Sequence, residues 1–239
     1  MKATATQPFT GNPMKSLPII LFVLFLLPFA ANAQDRIEAC TTNRNAPPAG
    51  VYYWPPDSEV KIYLVRDMFT PEQRRALFEA METWTRTARA TGAGVKFIFA
   101  GESSDIVNCQ GCLSIMRREV YKYDRAHYAY FYPLKFNQDN SLFSASIVLD
   151  FATRDTRALM GIATHELGHG LGLWDCTTCK KKQTIMNAFP GINRDNGLLA
   201  PSACDLEVVK SIYSTQRDEA SQKSRAAASP KAKAGNQFR

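Results

Sequence analysis

The chain has 239 residues, 29 Lys and Arg against 22 Asp and Glu, a net charge of +7, and 45% hydrophobic residues. That length suits one ordinary domain plus short extras. The charge sits at the ends: residues 1–33 carry two lysines and no acid, and 217–239 carry six basic and two acidic residues, which leaves the body at +1. A near-neutral body without internal repeats excludes a dedicated nucleic-acid surface and a solenoid.

The first element is not expected to fold with the rest. "LPIILFVLFLLPFA" (17–30) follows Lys15 and precedes "ANA" (31–33). A basic residue, a short apolar core and an A-x-A site make a secretory signal peptide. The run is short for a membrane span and is broken by Pro28. Cleavage after Ala33 is expected, with no membrane attachment afterwards. Met14-Lys15 can itself open such a segment, so the true start is expected at Met1 or Met14.

Residues 34–58 read as a loop segment, because Pro47, Pro48, Gly50, Pro55 and Pro56 break any period. "EVKIYLVR" (59–66) alternates Val60, Ile62 and Leu64 against Lys61 and Tyr63, which predicts a strand with one face inward. Thr70, Pro71 and Gln73 form a capping-box start for a long helix. Leu77, Met81, Trp84 and Ala88 make its apolar stripe, and Gly92 can end it. Strands are predicted at 95–101, 112–121, 127–133 and 144–151. A helix from about Asp155 carries "THELGHG", and a last helix over 202–213 is capped by Ser202, with Leu206, Val209 and Tyr213 on one side. Residues 216–239 lack an apolar stripe and are expected to be a disordered basic tail. The order predicts an α+β fold, a mixed twisted sheet with helices stacked on it.

An exported chain with six cysteines (Cys40, Cys109, Cys112, Cys176, Cys179, Cys204) should form disulfides. Six cysteines allow 15 pairings. The first expectation is Cys109–Cys112, Cys176–Cys179 and Cys40–Cys204. The alternative is a second, structural zinc on Cys109, Cys112, Cys176 and Cys179, since two C-x-x-C pairs have metal-ligand spacing.

"HELGHGLGLWD" (165–175) carries the chemistry. Residues four apart share a helix face, so His165 and His169 can present two imidazoles to one Zn²⁺. Glu166 can reach a water activated there and act as general base without ligating. Gly168, Gly170 and Gly172 each cost a helix about 1 kcal/mol against Ala, so the stretch is not built for helix stability. Gly172 can turn the chain through a left-handed conformation, which lets Asp175 swing back toward the histidines. A carboxylate oxygen is an accepted zinc ligand. His127, the only other histidine, is the rival third ligand.

The pattern H-E-x-x-H-x-x-G-x-x-D resembles the metzincin zinc endopeptidases, with Asp at the usual third-His position as in the snapalysin-like branch. "QTIMNAF" (183–189) resembles their methionine turn at Met186. Residues 52–84 look like the opening strand and first helix of matrixin-like catalytic domains, and 204–213 look like their final helix. The resemblance implies a catalytic domain over 59–215, with a short C-terminal subdomain that ends in a helix. It implies one catalytic Zn²⁺ on His165, His169 and Asp175, with Gly172 and Met186 in support. "HYAYFYP" would be the sheet-edge strand that pairs with an extended peptide or protein substrate, through Tyr128, Ala129 and Tyr130. The segment 187–201 would wall the main pocket.

Departures accompany it. Position 188, where some branches carry an oxyanion-stabilising Tyr two residues after the Met, is Ala. No cysteine switch with its usual flanks is visible. Cys176, directly after the third-ligand position, resembles the cysteine-bearing archaemetzincins, whose later spacing this chain does not follow. The expectation is a secreted (extracellular or periplasmic) monomeric zinc endopeptidase. The alternative is a secreted, non-catalytic binding module that keeps zinc for structure. An intact Glu166 speaks against it, because a structural site needs no general base.

Overall fold

Strand β1 (Glu59–Val65) buries Val60, Ile62 and Leu64 and exposes Glu59 and Lys61, the alternation its sequence predicts. In the computed structural model the described residues are 52–120, 122, 127–176, 179–180, 182–187 and 198–228. All belong to one compact unit, Arg36–Arg239. The signal segment, Cys40 and most of the 34–58 loop segment lie outside them.

Helix α1 (Pro71–Ala90) starts on the full capping box: Thr70 accepts from the Gln73 amide, and the Gln73 side chain accepts from the Thr70 amide. Thr91 caps the other end, and Gly92 follows with φ +80. Strands β2 (Lys96–Ser103), β3 (Cys112–Arg118), β4 (Ala129–Phe136) and β5 (Leu142–Asp150) complete one five-stranded sheet of order β2-β1-β3-β5-β4. The first four in that order are parallel, and β4 runs antiparallel to β5 at the edge. This is the mixed α+β sheet the sequence predicts.

Side chains of Val60, Ile62, Leu64, Leu113, Ile147 and Leu149 form the sheet's inner face. α1 and α2 (Thr156–His169) pack against it. Trp84, fully buried, joins the two helices: its indole N–H donates to the Thr164 carbonyl at 2.5 Å. A smaller apolar cluster, Val65, Met116, Val120 and Val148, occupies the opposite face.

The three largest boundary differences from expectation are in β4, β3 and the last helix. β4 passes Pro133 and reaches Phe136, because a proline is tolerated on an edge strand. β3 stops at Arg118, short of residue 121. The last helix, α3, spans Ala203–Ala228, where a disordered tail is expected from residue 216. Gln216 hydrogen-bonds the Tyr53 hydroxyl, and Arg217 pairs with Asp57 at 2.9 Å, so the helix is tied to the domain past Thr215. Among the described residues no helix is long and apolar enough to cross a membrane.

Cys109 bonds Cys112 and Cys176 bonds Cys179. These are the first two pairings the sequence predicts, and sulfurs bonded in this way offer no thiolates to a metal. Cys204 is also disulfide-bonded.

Candidate metal centre

α2 begins at a turn held by a buried arginine. Arg117 on β3 donates through Nη2 to the carbonyls of Asp150, Phe151 and Thr153. Asp155 then caps the helix, accepting from the Ala158 amide at 2.7 Å. The helix ends at His169, and Gly172 takes φ +88, the left-handed turn that is inexpensive only for Gly. The chain doubles back there, and the Leu173 carbonyl comes to face His169 Nδ1 at 2.9 Å.

Gly168 has a separate reason. A Cβ there would lie 2.6 Å from Met186 Sδ and 3.0 Å from Trp84 Cζ2. The missing side chain lets Met186, itself buried, approach the underside of the helix. The Met186 carbonyl also accepts the Cys176 amide at 2.7 Å. This ties the turn at Met186 to the residue after Asp175.

The turn is fixed a second way. The buried Asp205, in the first turn of α3, accepts from Thr184 Oγ1, from the Ile185 amide at 2.9 Å, and from the amide and hydroxyl of Ser202 at 2.7 and 2.8 Å. The Ile185 carbonyl in turn faces His165 Nδ1 at 3.0 Å. A carbonyl can only accept, so both imidazoles carry a proton on Nδ1, and both Nε2 atoms are the ones turned to the site.

Those two Nε2 atoms converge with a carboxylate. Asp175 Oδ1 lies 2.9 Å from His165 Nε2 and 3.7 Å from His169 Nε2. Ligand atoms held 2.0–2.1 Å from a tetrahedral zinc stand about 3.3 Å apart, so the spacing suits one ion. Glu166 Oε2 is 4.0 Å from His169 Nε2. One donor atom each from His165, Glu166 and His169 fall within 4.8 Å of one another, but Asp175 approaches both imidazoles more closely than Glu166 approaches His169. Asp175 Oδ1 is taken by His165 Nε2, whereas Glu166 Oε2 is buried without a hydrogen-bond partner. Two carboxylates, one of them buried with an oxygen left unpartnered, beside two imidazole nitrogens are costly unless a cation joins them, and on this ground the residues fit a zinc ion.

The electrostatics agree. For the chain by itself, burial disfavours a charged His165, but the Asp175 and Glu166 carboxylates outweigh it and push its pKa up to about 9. Burial and the His165 charge push His169 down to about 4. Burial raises Glu166 to about 7. At Asp175 burial is outweighed by His165, and the carboxyl falls to about 2. A proton on His165 Nε2 thus occupies the convergence point at neutral pH, and an entering ion displaces it.

The sequence-predicted residues divide accordingly. His165, Glu166, His169 and Asp175 come together, with Gly172 and Met186 shaping the turns around them. His127 is exposed, and its ring lies 5.0 Å from that of Tyr130. Ala129 and Tyr130 lie on the edge strand β4, and Tyr128 just precedes it. β4 reaches the cluster through Phe131, whose ring is 6.2 Å from His169's. Residues 188–197, most of the expected pocket wall, lie outside the described residues. A cavity of about 890 Å³ lies on the sheet's opposite face between Met116, Tyr130, Tyr132 and Val148, and none of the four clustered residues lines it. Sequence reading passed over Arg117, Asp205 and Tyr52. For Asp205 a signal existed: Ser202 with an acid three residues later is a capping pattern.

No family model matches the chain, and no curated protein matches it in sequence. Solved structures do. The archaemetzincin of Methanopyrus kandleri aligns at 12% identity over 73% of this chain and 99% of its own, with a TM-score of 0.43. Metalloproteinase-II from Bacteroides fragilis aligns at 13% identity over 71% of this chain and 58% of its own, with a TM-score of 0.39.

Proposed function

We propose that this chain is a secreted, zinc-dependent endopeptidase of the metzincin type, with Asp175 as third ligand beside His165 and His169. One observation carries the reading: two imidazole Nε2 atoms and one carboxylate oxygen converge, each imidazole oriented by a backbone carbonyl, beside a buried Glu166 that none of them engages. A zinc ion on three protein ligands supplies a Lewis acid that activates water near neutral pH.

The chain's own residues do the rest. Glu166, raised to about 7 by burial, is poised to take a proton from the attacking water and hand it to the leaving amine. The His165 and His169 tautomers are held by Ile185 and Leu173, so neither ring needs to reorient. β4 offers an antiparallel sheet edge on which an extended peptide can lie, and Phe131 brings that edge to His169. Export is supported by the segment 17–33 and by the disulfides.

A binding module with a purely structural zinc fits less well. Structural sites close with four protein ligands, whereas here the fourth residue, Glu166, stands farther off with its Oε2 unpartnered. The experiment is Glu166→Ala, assayed for bound zinc and for cleavage of unfolded casein, with and without chelator. Zinc retained and hydrolysis down by about 10²-fold or more is expected. Near-normal turnover would sink the mechanism, and lost zinc would make Glu166 a ligand.

A further inference from the structure

Ligation and proton transfer leave one task unassigned: neutralising the charge that develops on the scissile carbonyl oxygen. Position 188 carries Ala, without a donor side chain.

Tyr52 borders the site from outside the motif, through ring contacts with Phe131 and Trp174. The residues after it are fixed on three elements. The Trp54 amide donates to the Gly170 carbonyl at 2.9 Å, at the end of α2. The Tyr53 carbonyl accepts the Leu142 amide of β5 at 2.9 Å, and the Trp54 carbonyl accepts the Tyr213 hydroxyl of α3 at 2.9 Å. Trp54 itself is fully buried.

The Tyr52 ring is held by its neighbours as well. It stacks on Phe131 at 5.9 Å with an interplanar angle of 10°, and tilts against Trp174 at 5.3 Å. Phe131 is the ring that meets His169, and Trp174 is the residue before Asp175. Tyr52 is therefore one ring removed from each of two proposed ligands. Its hydroxyl has no hydrogen-bond partner among the described residues. Burial first, and then the charges of Glu166 and Asp175, push its pKa to about 12, so it remains a proton-bearing donor.

We infer that Tyr52 is a further catalytic residue, whose hydroxyl donates a hydrogen bond to the oxyanion that develops on the scissile carbonyl. The proton stays on the tyrosine, and no covalent bond to it forms. A preorganised donor of this kind is worth more in the transition state than in the ground state, so its removal lowers kcat rather than raising KM. The inference rests on the peptidase reading.

The test is Tyr52→Phe, which keeps the ring and its stacking and removes only the hydroxyl. Expected are unchanged zinc content and thermal midpoint, unchanged KM, and a kcat lowered by about 10²-fold. A phosphinic peptide, whose anionic oxygens mimic the tetrahedral state, should bind more weakly by a similar factor. The matched uncleaved amide peptide, measured in the Glu166→Ala background, should bind as before. A kcat within about twofold of the parent overturns the inference while the peptidase reading stands. So does a kcat loss accompanied by lost zinc or by equal weakening of both ligands, since either marks a structural role. A parent chain that cleaves nothing overturns both.

Discussion

Asp205 accepts the Ile185 amide at 2.9 Å, while the carbonyl of that same Ile185 faces His165 Nδ1 at 3.0 Å. One buried carboxylate at the start of α3 thereby sets the tautomer of an imidazole on α2. Removing it strands buried donors on Ser202, Thr184 and Ile185, each worth about 1–3 kcal/mol. Asp205→Ala is expected to lower stability by roughly 3 kcal/mol or more and to weaken zinc by about 10–100-fold. Thermal melts with and without metal, alongside chelator competition, check both. A destabilised variant with full zinc affinity would detach Asp205 from the site.

Gly168→Ala opposes two effects of known sign. Helix propensity favours Ala by about 1 kcal/mol. The new methyl, however, meets Met186 Sδ at 2.6 Å and Trp84 Cζ2 at 3.0 Å, and overpacking typically costs about 1–3 kcal/mol. Met186 can give way, but Trp84 is fully buried at the α1–α2 contact, so the net effect should be destabilising. A raised thermal midpoint would show that propensity wins.

Zinc uptake should depend on pH through His165. Its pKa, raised from 6.5 to about 9, means that the metal-free chain holds a proton there at pH 7, which the ion must displace. Apparent zinc affinity is expected to climb with pH up to about 9, by as much as roughly tenfold per unit, with a proton released on binding. The linkage to folding has the opposite sense. A raised pKa stabilises the metal-free fold fully below about 6.5, and that contribution is lost as pH rises through about 9. Competition titrations at about pH 6, 7 and 8 check the first claim, and a flat profile contradicts it.

Much of this site was legible in advance because it is local. His165 and His169 share a helix face by spacing alone, Gly172 announces the turn, and Thr70 with Gln73 marks where α1 starts. What was not legible depends on partners distant in sequence. Nothing in "YSTQR" shows that Gln216 meets Tyr53 or that Arg217 meets Asp57, so α3 reads as ending near residue 213 although it continues to Ala228. Tyr52 likewise reads as loop, because its place beside Trp174 and Phe131 is set by the backbone pairing of Tyr53 and Trp54. Only Asp205 left a local trace.

Those late contacts alter what truncation should do. Ending the chain at Thr215 removes the Gln216 hydrogen bond and the exposed Arg217–Asp57 pair, together worth about 1–2 kcal/mol. The thermal midpoint should drop by a few degrees, while ending the chain at Ala228 should keep both contacts. Equal midpoints for full-length and Thr215-terminated chains would show that the distal half of α3 contributes nothing.

The central claim is that His165, His169 and Asp175 hold one zinc ion. Metal content of purified Asp175→Ala, beside His127→Ala and Asp175→His, tests it most directly. Asp175 is predicted to be indispensable: Asp175→Ala loses zinc, His127→Ala keeps the full complement, and Asp175→His retains the ion because imidazole fills the same tetrahedral position. Full zinc in Asp175→Ala together with loss in His127→Ala would contradict the assignment and move the third ligand to His127.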